Sequence, residues 1–237
     1  MKKLVRILIK TISVVILFVL VISGLLYVTY NEPLPQGTPG TAADSLADKM
    51  LKSLHNKAYL ETRYIEWDFS NESYHYKWDR ELGIVRVAWK EYRVLLNLDH
   101  PEKSSVFDRD RRLKDKERLN LIETAVSHFN NDSFWLVAPF KVFDKGTERS
   151  LVSLEDGSNE LLVTYTMGGT TPGDSYLWKI GPTGLPESFR MWVAIIPIGG
   201  LEATWKTWKV MDSGVFLPTS HQLGPMNFTM ENVRAYN

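Results

Sequence analysis

Hydrophobic and polar residues divide the chain into regions of different period. Four basic residues, Lys2, Lys3, Arg6 and Lys10, precede twenty residues, 11–30, that carry no charge. At a helical rise of about 1.5 Å per residue, such a run spans a hydrocarbon core of about 30 Å. A cleaved secretory signal has an apolar region of about 7–15 residues that ends in small side chains. This run is longer and leaves through Leu25, Leu26, Tyr27, Val28, Thr29 and Tyr30, which predicts an uncleaved single-pass signal anchor. The basic flank lies before the run and Glu32 is the first charge beyond it. The tail 1–10 is therefore expected in the cytoplasm and residues 31–237 in the periplasm, at the inner (cytoplasmic) membrane.

Residues 31–40 hold three prolines and two glycines, a composition that sustains neither helix nor central strand and predicts a spacer lifting the domain off the bilayer. Thr41 and Asp44 have capping-box spacing, and Leu46, Met50, Leu51 and Leu54 follow at helical spacing, predicting an amphipathic helix to about Asn56. The period then becomes two. Ile65, Trp67 and Phe69 alternate with polar neighbours, as do Tyr74, Tyr76 and Trp78, then Val85, Val87 and Trp89, then Tyr92, Val94, Leu96 and Leu98. Turns at Asn71 and Glu72, Leu82 and Gly83, and Lys90 and Glu91 complete a four-strand antiparallel meander.

Residues 108–118 mix six basic with four acidic side chains and read as a solvated loop and helix start. Leu119, Ile122, Val126 and Phe129 recur at helical spacing, predicting a second helix that ends at Asn130 and Asn131. The stretch 129–141, rich in rings and stopped by Pro139, is then the joint between that helix and the second run of strands. Six strands are expected over 151–154, 161–167, 175–180, 188–195, 203–210 and 216–222, with a last one over 227–233. Between them stand Asp156 and Gly157, the glycine-rich loop 168–173, Gly181 to Gly184, Gly199 and Gly200, and Asp212 to Gly214. The fold class is mainly β with two helices (α+β). It is an antiparallel unclosed barrel of residues 41–237, capped by helices and preceded by one transmembrane helix.

Charge and chemistry narrow the function. Without the four N-terminal basic residues, 24 basic residues face 28 acidic ones, and a mildly acidic domain lacks the cationic face that nucleic acid demands. There is no cysteine, hence no disulfide, thiolate zinc site, cysteine nucleophile or N-terminal lipid anchor. His55, His75, His100, His128 and His221 stand apart, without metal-ligand spacing, and read as surface or helix-end residues. No phosphate loop, dinucleotide fingerprint or serine elbow occurs, and the pair Asp108 and Asp110 has no sequence support as an acid and base. A non-enzymatic protein with no cofactor and no metal is expected. Asn71, Asn131 and Asn227 each open a glycosylation triplet that also fits an Asx turn.

What stands out is aromatic loading: eight Trp, ten Tyr and ten Phe, concentrated on the strands. Each large ring buries about 150–250 Å² and must be covered or enclose something. Two readings stay open, a solid core and a cavity holding an acyl chain or another apolar ligand. In the second, Trp67, Phe69, Tyr76, Trp78, Trp89, Trp135, Phe140, Tyr165, Trp178 and Trp192 line the cavity or its rim. Phe134 joins Trp135 and Phe140 as a rim candidate, with gluing of the helix to the sheet as the alternative.

The stretch Asn131-Asp132-Ser133-Phe134-Trp135-Leu136-Val137-Ala138-Pro139-Phe140-Lys141, the segment Thr171-Pro172-Gly173-Asp174-Ser175-Tyr176 and the ending Leu217-Pro218-Thr219-Ser220-His221-Gln222-Leu223 resemble motifs of bacterial envelope proteins near the LolA/LppX-type lipoprotein-carrier fold. The likeness covers residues 41–235 and implies an acyl-chain-binding half-barrel. Carriers of that kind are soluble and shuttle, whereas this chain has an anchor, and no ligand-gating residue matches position by position. Two functions follow as expectations. One is a membrane-tethered domain binding a lipid or other apolar ligand in envelope lipid or lipoprotein handling. The other is a solidly packed module that docks an envelope protein partner.

Overall fold

A computed structural model describes residues 2–69, 73–167 and 171–237. The apolar run lies in α1 (Lys2–Tyr30), of which Ile9–Tyr30, 22 residues, is long and apolar enough to cross a membrane and is not buried against the protein. After it come β1 (Thr38–Pro39), α2 (Thr41–Ser53), α3 (Asn56–Glu61), β2 (Tyr64–Phe69), β3 (Tyr74–Asp79), β4 (Ile84–Trp89), β5 (Tyr92–Asn97), β6 (Ser105–Asp108), β7 (Arg111–Arg112) and α4 (Asp115–Val137). A 3₁₀ turn, Ala138–Lys141, leads to β8 (Thr147–Ser153), β9 (Asn159–Tyr165), β10 (Ser175–Ile180), β11 (Pro186–Trp192), β12 (Leu201–Val210), β13 (Phe216–Leu223) and β14 (Met226–Tyr236).

All the strands join one antiparallel sheet in the order β1-β8-β9-β10-β11-β12-β13-β14-β2-β3-β4-β5-β6-β7. Among the described residues nothing pairs the edges β1 and β7, so the sheet is open. Two meanders, β8 to β13 and β2 to β7, are sewn together by the last strand. The start of β14 pairs with β13, Met226 opposite Leu223, and its end pairs with β2, Tyr236 opposite Tyr64. Between Glu231 and Arg234 the register slips, with Asn232 at φ 51, a bulge that bends the strand as it passes from one partner to the other.

Period-two alternation gives the sheet one buried face. Ile65 and Trp67, Val85 and Val87, Leu161 and Val163, Tyr176 and Trp178, and Phe189 and Met191 all enter one apolar cluster, together with Ala47 and Met50 of α2 and Ile122, Phe129 and Leu136 of α4. The helices thus rest on the inner face: α2 against β8 and β9, α4 against β5, β6 and β13.

Several expectations are corrected. Helix α4 runs through Asn130 and Asn131 to Val137. These residues are poor helix formers, but Ala125, Phe129, Asp132 and Leu136 fall on one face and all are buried, and that packing outweighs propensity. The Asn131 triplet is thereby inside a helix with Asp132 and Ser133 buried. Helix α2 stops at Ser53, short of Asn56. His55 takes a left-handed conformation at φ 57, and the short helix α3 follows. No capping box forms: Gly40 is the N-cap without a side-chain bond, and Asp44 pairs with Arg149 Nε of β8 at 2.7 Å. Strands β6 and β7 occupy part of what reads as charged loop, because Arg111 and Arg112 stand at a sheet edge with their side chains in solvent. The expected turn at Asn71 and Glu72 and residues 168–170 of the glycine-rich loop lie outside the described residues.

The segment 31–40 is strapped to the domain. Glu32 N donates to Gly199 O (3.0 Å), Trp192 Nε1 donates to Glu32 O (2.8 Å), and Arg190 Nη1 reaches Glu32 Oε2 (3.0 Å). Gly37 passes so close to β8 that a Cβ there would lie 2.6 Å from Ser150 Cβ. Thr38 and Pro39 then pair with Leu151 and Ser150, an edge position where proline's missing N–H does no harm. Under the strap, on the outer face, Val152, Leu162 and Leu177 form a second small cluster with Leu154 and Trp192.

Candidate functional site

The inner face carries the aromatic loading. In the β2–β5 half, Trp67 stacks on Tyr76 with centroids 4.6 Å apart, and Phe129 of α4 meets Trp67 at 6.2 Å and Trp78 at 5.3 Å. Trp89 faces Tyr92 and His128, and Phe69 meets Phe228. In the β9–β13 half, Trp135 of α4 stacks on Phe189 (5.7 Å) and contacts Trp205, His221 and Phe228, while Phe134 meets Tyr165, Tyr176 and Phe189. Trp178 packs between Phe189 and Trp205 at 5.1 Å from each. Such offset and edge-on pairs add about 0.5–1.5 kcal/mol apiece beyond the area they bury. Phe140 stacks on Tyr59 at 4.0 Å, joining the end of α4 to α3.

Nine of the ten residues expected at a cavity or rim therefore share one cluster. Trp67, Tyr76, Trp89, Phe140 and Trp178 are buried; Phe69, Trp78, Trp135 and Tyr165 are half-buried against it. Trp192 is separate. It alternates with Met191 on β11 and so faces outward, under the strap.

Polar groups sit within this aromatic layer. Tyr76 Oη donates to Asp132 Oδ2 at 2.5 Å, and Asn131 Nδ2 donates to Asp132 Oδ1 at 2.8 Å. Burial raises the Asp132 carboxyl above the ordinary carboxylate value, against the lowering effect of those two bonds, and burial beside Asp132 raises the Tyr76 phenol. His221 is buried between Trp205 and Phe228, which corrects its reading as a surface histidine. Burial holds its pKa down at about 4, so the ring is neutral at physiological pH. Four indole N–H groups, those of Trp67, Trp78, Trp178 and Trp205, and the Tyr165 hydroxyl are enclosed without a hydrogen-bond partner among the described residues. A buried donor left unpaired costs about 1–3 kcal/mol.

Two concavities lie away from this aromatic layer, both open to solvent. A groove of about 580 Å³ runs over the outer face of β14, β2, β3 and β4, lined by Glu66, Asp68, His75, Lys77, Arg86 and Arg234 among others. Its two carboxylates are both held: Lys77 reaches Glu66 at 2.6 Å, Tyr236 Oη donates to Glu66 at 2.5 Å, and His75 and Asn232 hold Asp68 at 2.7 and 2.6 Å. The second, about 390 Å³, lies beside α2 and α3 at Asp48, Leu51, Lys52, His55, Asn56 and Lys57. Among the described residues no three His, Cys, Asp or Glu gather as metal ligands.

Asp132, His221, Tyr176, Phe189 and Trp205 belong to this face and were not among the expected site residues. For Asp132 the signal was its place on the stripe of Ala125, Phe129 and Leu136, visible only if the helix is continued past Asn131. For Phe189 and Trp205 it was simple alternation with Arg190 and Lys206. No family model and no curated protein matches the sequence.

Proposed function

We propose that this chain is a membrane-tethered domain whose open sheet, with α2, α3 and α4 on its inner face, forms a LolA-like half-barrel. That face binds an acyl chain or another apolar molecule bearing an acceptor group. Tethered by α1 at the inner membrane with its folded part in the periplasm, it takes a non-enzymatic part in envelope lipid or lipoprotein handling. One observation carries the reading: a continuous aromatic face that also holds unpaired donors, the indoles of Trp67, Trp78, Trp178 and Trp205 and the hydroxyl of Tyr165. Rings supply the apolar surface and the donors meet a carboxyl or ester oxygen. Entry requires the ring-bearing face of α4 to move off the sheet.

The test is titration of the full chain in nanodiscs with a polyene fatty acid excited by energy transfer from tryptophan. Saturable transfer above that of empty discs is expected, and its absence overturns the reading. The second reading, a solidly packed module that docks an envelope protein, draws on the ring contacts of Trp135 and Phe134, which fill the space between α4 and the sheet. It expects a protein crosslinked through the outer face and no fatty-acid uptake.

A further inference from the structure

The last residues of α1 and one loop of the sheet are locked together. Asn31 N still donates to Tyr27 O at 2.9 Å, extending the helix. The very next residue, Glu32, is held by Gly199 O, Trp192 Nε1 and Arg190, and Asn31 Oδ1 accepts from Gly199 N at 2.9 Å. The clamp is built into the sequence. A Cβ on Gly199 would come within 2.7 Å of Glu32 O, and Gly200, at φ +82, would place one 2.7 Å from Glu32 Cβ. Since a chain advances at most about 3.6 Å per residue and one hydrogen bond of 3.0 Å joins Glu32 to Gly199, the base of the β11–β12 loop lies within about 10 Å of the end of α1.

That loop, residues 193–200, is Val-Ala-Ile-Ile-Pro-Ile-Gly-Gly, without a charge. Ile195 at its tip is 72% exposed, and Ala194 and Pro197 are exposed as well. The loop is fixed rather than loose, because Ala194 N donates to the buried Asp174 at 2.9 Å and Ile196 N to Val193 O at 3.1 Å. Sheet register puts two further exposed apolar side chains at the same end: Met167, in the loop that leads to Ser175 opposite Trp192, and Met226, which pairs with Leu223 beside the start of β12. The same end also carries the exposed Asp144 and Lys145, just before Thr147 opposite Tyr165, while at the opposite end the β8–β9 and β12–β13 turns carry Glu155, Asp156 and Asp212.

We propose that the β11–β12 loop rests in the headgroup region of the bilayer that α1 crosses, with Ile195 inserted and Met167 and Met226 flanking it. This fixes the end of the sheet bearing this loop against the membrane, and it rests on the reading of α1 as a membrane anchor. Uncharged, exposed aliphatic side chains beside the exit of a spanning helix match the apolar side of the interface. A protein partner would have to reach the same tip across the lipid surface.

Because the chain has no cysteine, single labels can be placed at will. Ile195→Cys, Val21→Cys and Asp156→Cys, each carrying an environment-sensitive fluorophore, are reconstituted as full chains in phosphatidylcholine vesicles. Nitroxide-bearing lipids are then added. The label at 195 is expected to shift to the blue and to lose most of its emission to nitroxides near the headgroups, while the label at 156 stays water-like. Strong quenching at 21 by nitroxides deep in the chains, with none at 195, overturns the loop proposal and leaves the anchor intact. No quenching at 21 overturns the anchor reading and this proposal with it. A label at 195 shielded from water yet untouched by nitroxides means a protein contact and also overturns the proposal.

Discussion

Lowering the pH from 7 to 5 is expected to cost the folded chain about 2 kcal/mol through His221 alone. The ring is enclosed by Trp135, Trp205 and Phe228, and burial depresses its pKa from 6.5 to about 4. A depressed histidine gives stability that is fully present above the unfolded value and is lost as the pH falls from 6.5 toward 4. The whole interval is worth about 3.4 kcal/mol at 1.36 kcal/mol per unit, and roughly three fifths of it is spent by pH 5. Asp132 acts in the other direction. Its raised pKa makes stability rise as pH falls through the window between its folded value and 3.8, so the raw slope mixes the two. Comparison with His221→Phe isolates the titration, because phenylalanine keeps a ring between Trp205 and Phe228 and gives up the ring's backbone contacts, the long 3.3 Å one to Thr204 O and the one to Trp135, at both pH values. Urea unfolding of the full chain in mild detergent, followed by tryptophan emission at pH 7 and pH 5, measures the difference. The native chain should lose about 2 kcal/mol more than the variant over that interval. Equal losses would refute a neutral, enclosed His221.

Three further outcomes are expected. Trp135→Ala should cost about 3–5 kcal/mol in the same unfolding assay; if fatty-acid uptake is unchanged, the ring glues α4 to the sheet, and if uptake changes it belongs to the rim. Tyr76→Phe removes the donor to Asp132 and should cost about 1–3 kcal/mol; it should also raise the Asp132 pKa further, read by carboxyl NMR. Gly37→Ala forces a Cβ against Ser150 and should cost about 1–3 kcal/mol, with faster amide exchange at Thr38 and Leu151 where the strap pairs with β8.

Most of the sheet was legible because its strands have one wet and one dry face. Trp67, Tyr76, Val87 and Leu96 announce β2 to β5 by alternation, and the glycines at 157, 184 and 214 mark real turns. What escaped was decided by contacts distant in sequence. Nothing local says that β14 closes the gap between β13 and β2, nor that Asn130 and Asn131 stay helical because Phe129, Asp132 and Leu136 are buried together. The pairing of Thr38 and Pro39 is hidden for a similar reason: proline and glycine forbid a central strand but permit an edge pairing to β8. Of the site, the aromatic residues were visible by type. Their company was not, since Trp192 turns outward on the same strand that turns Phe189 and Met191 inward, and the buried Asp132 and His221 carry no spacing motif.

The central claim, a ligand held on the aromatic inner face, is tested most directly by native mass spectrometry of the full chain extracted from its membrane. The sample is washed until lipid bound only to α1 has exchanged for detergent. The expected result is a retained adduct of acyl-bearing mass that is lost when Trp178 and Trp205 are replaced together by alanine. A bare polypeptide mass before and after replacement would contradict it.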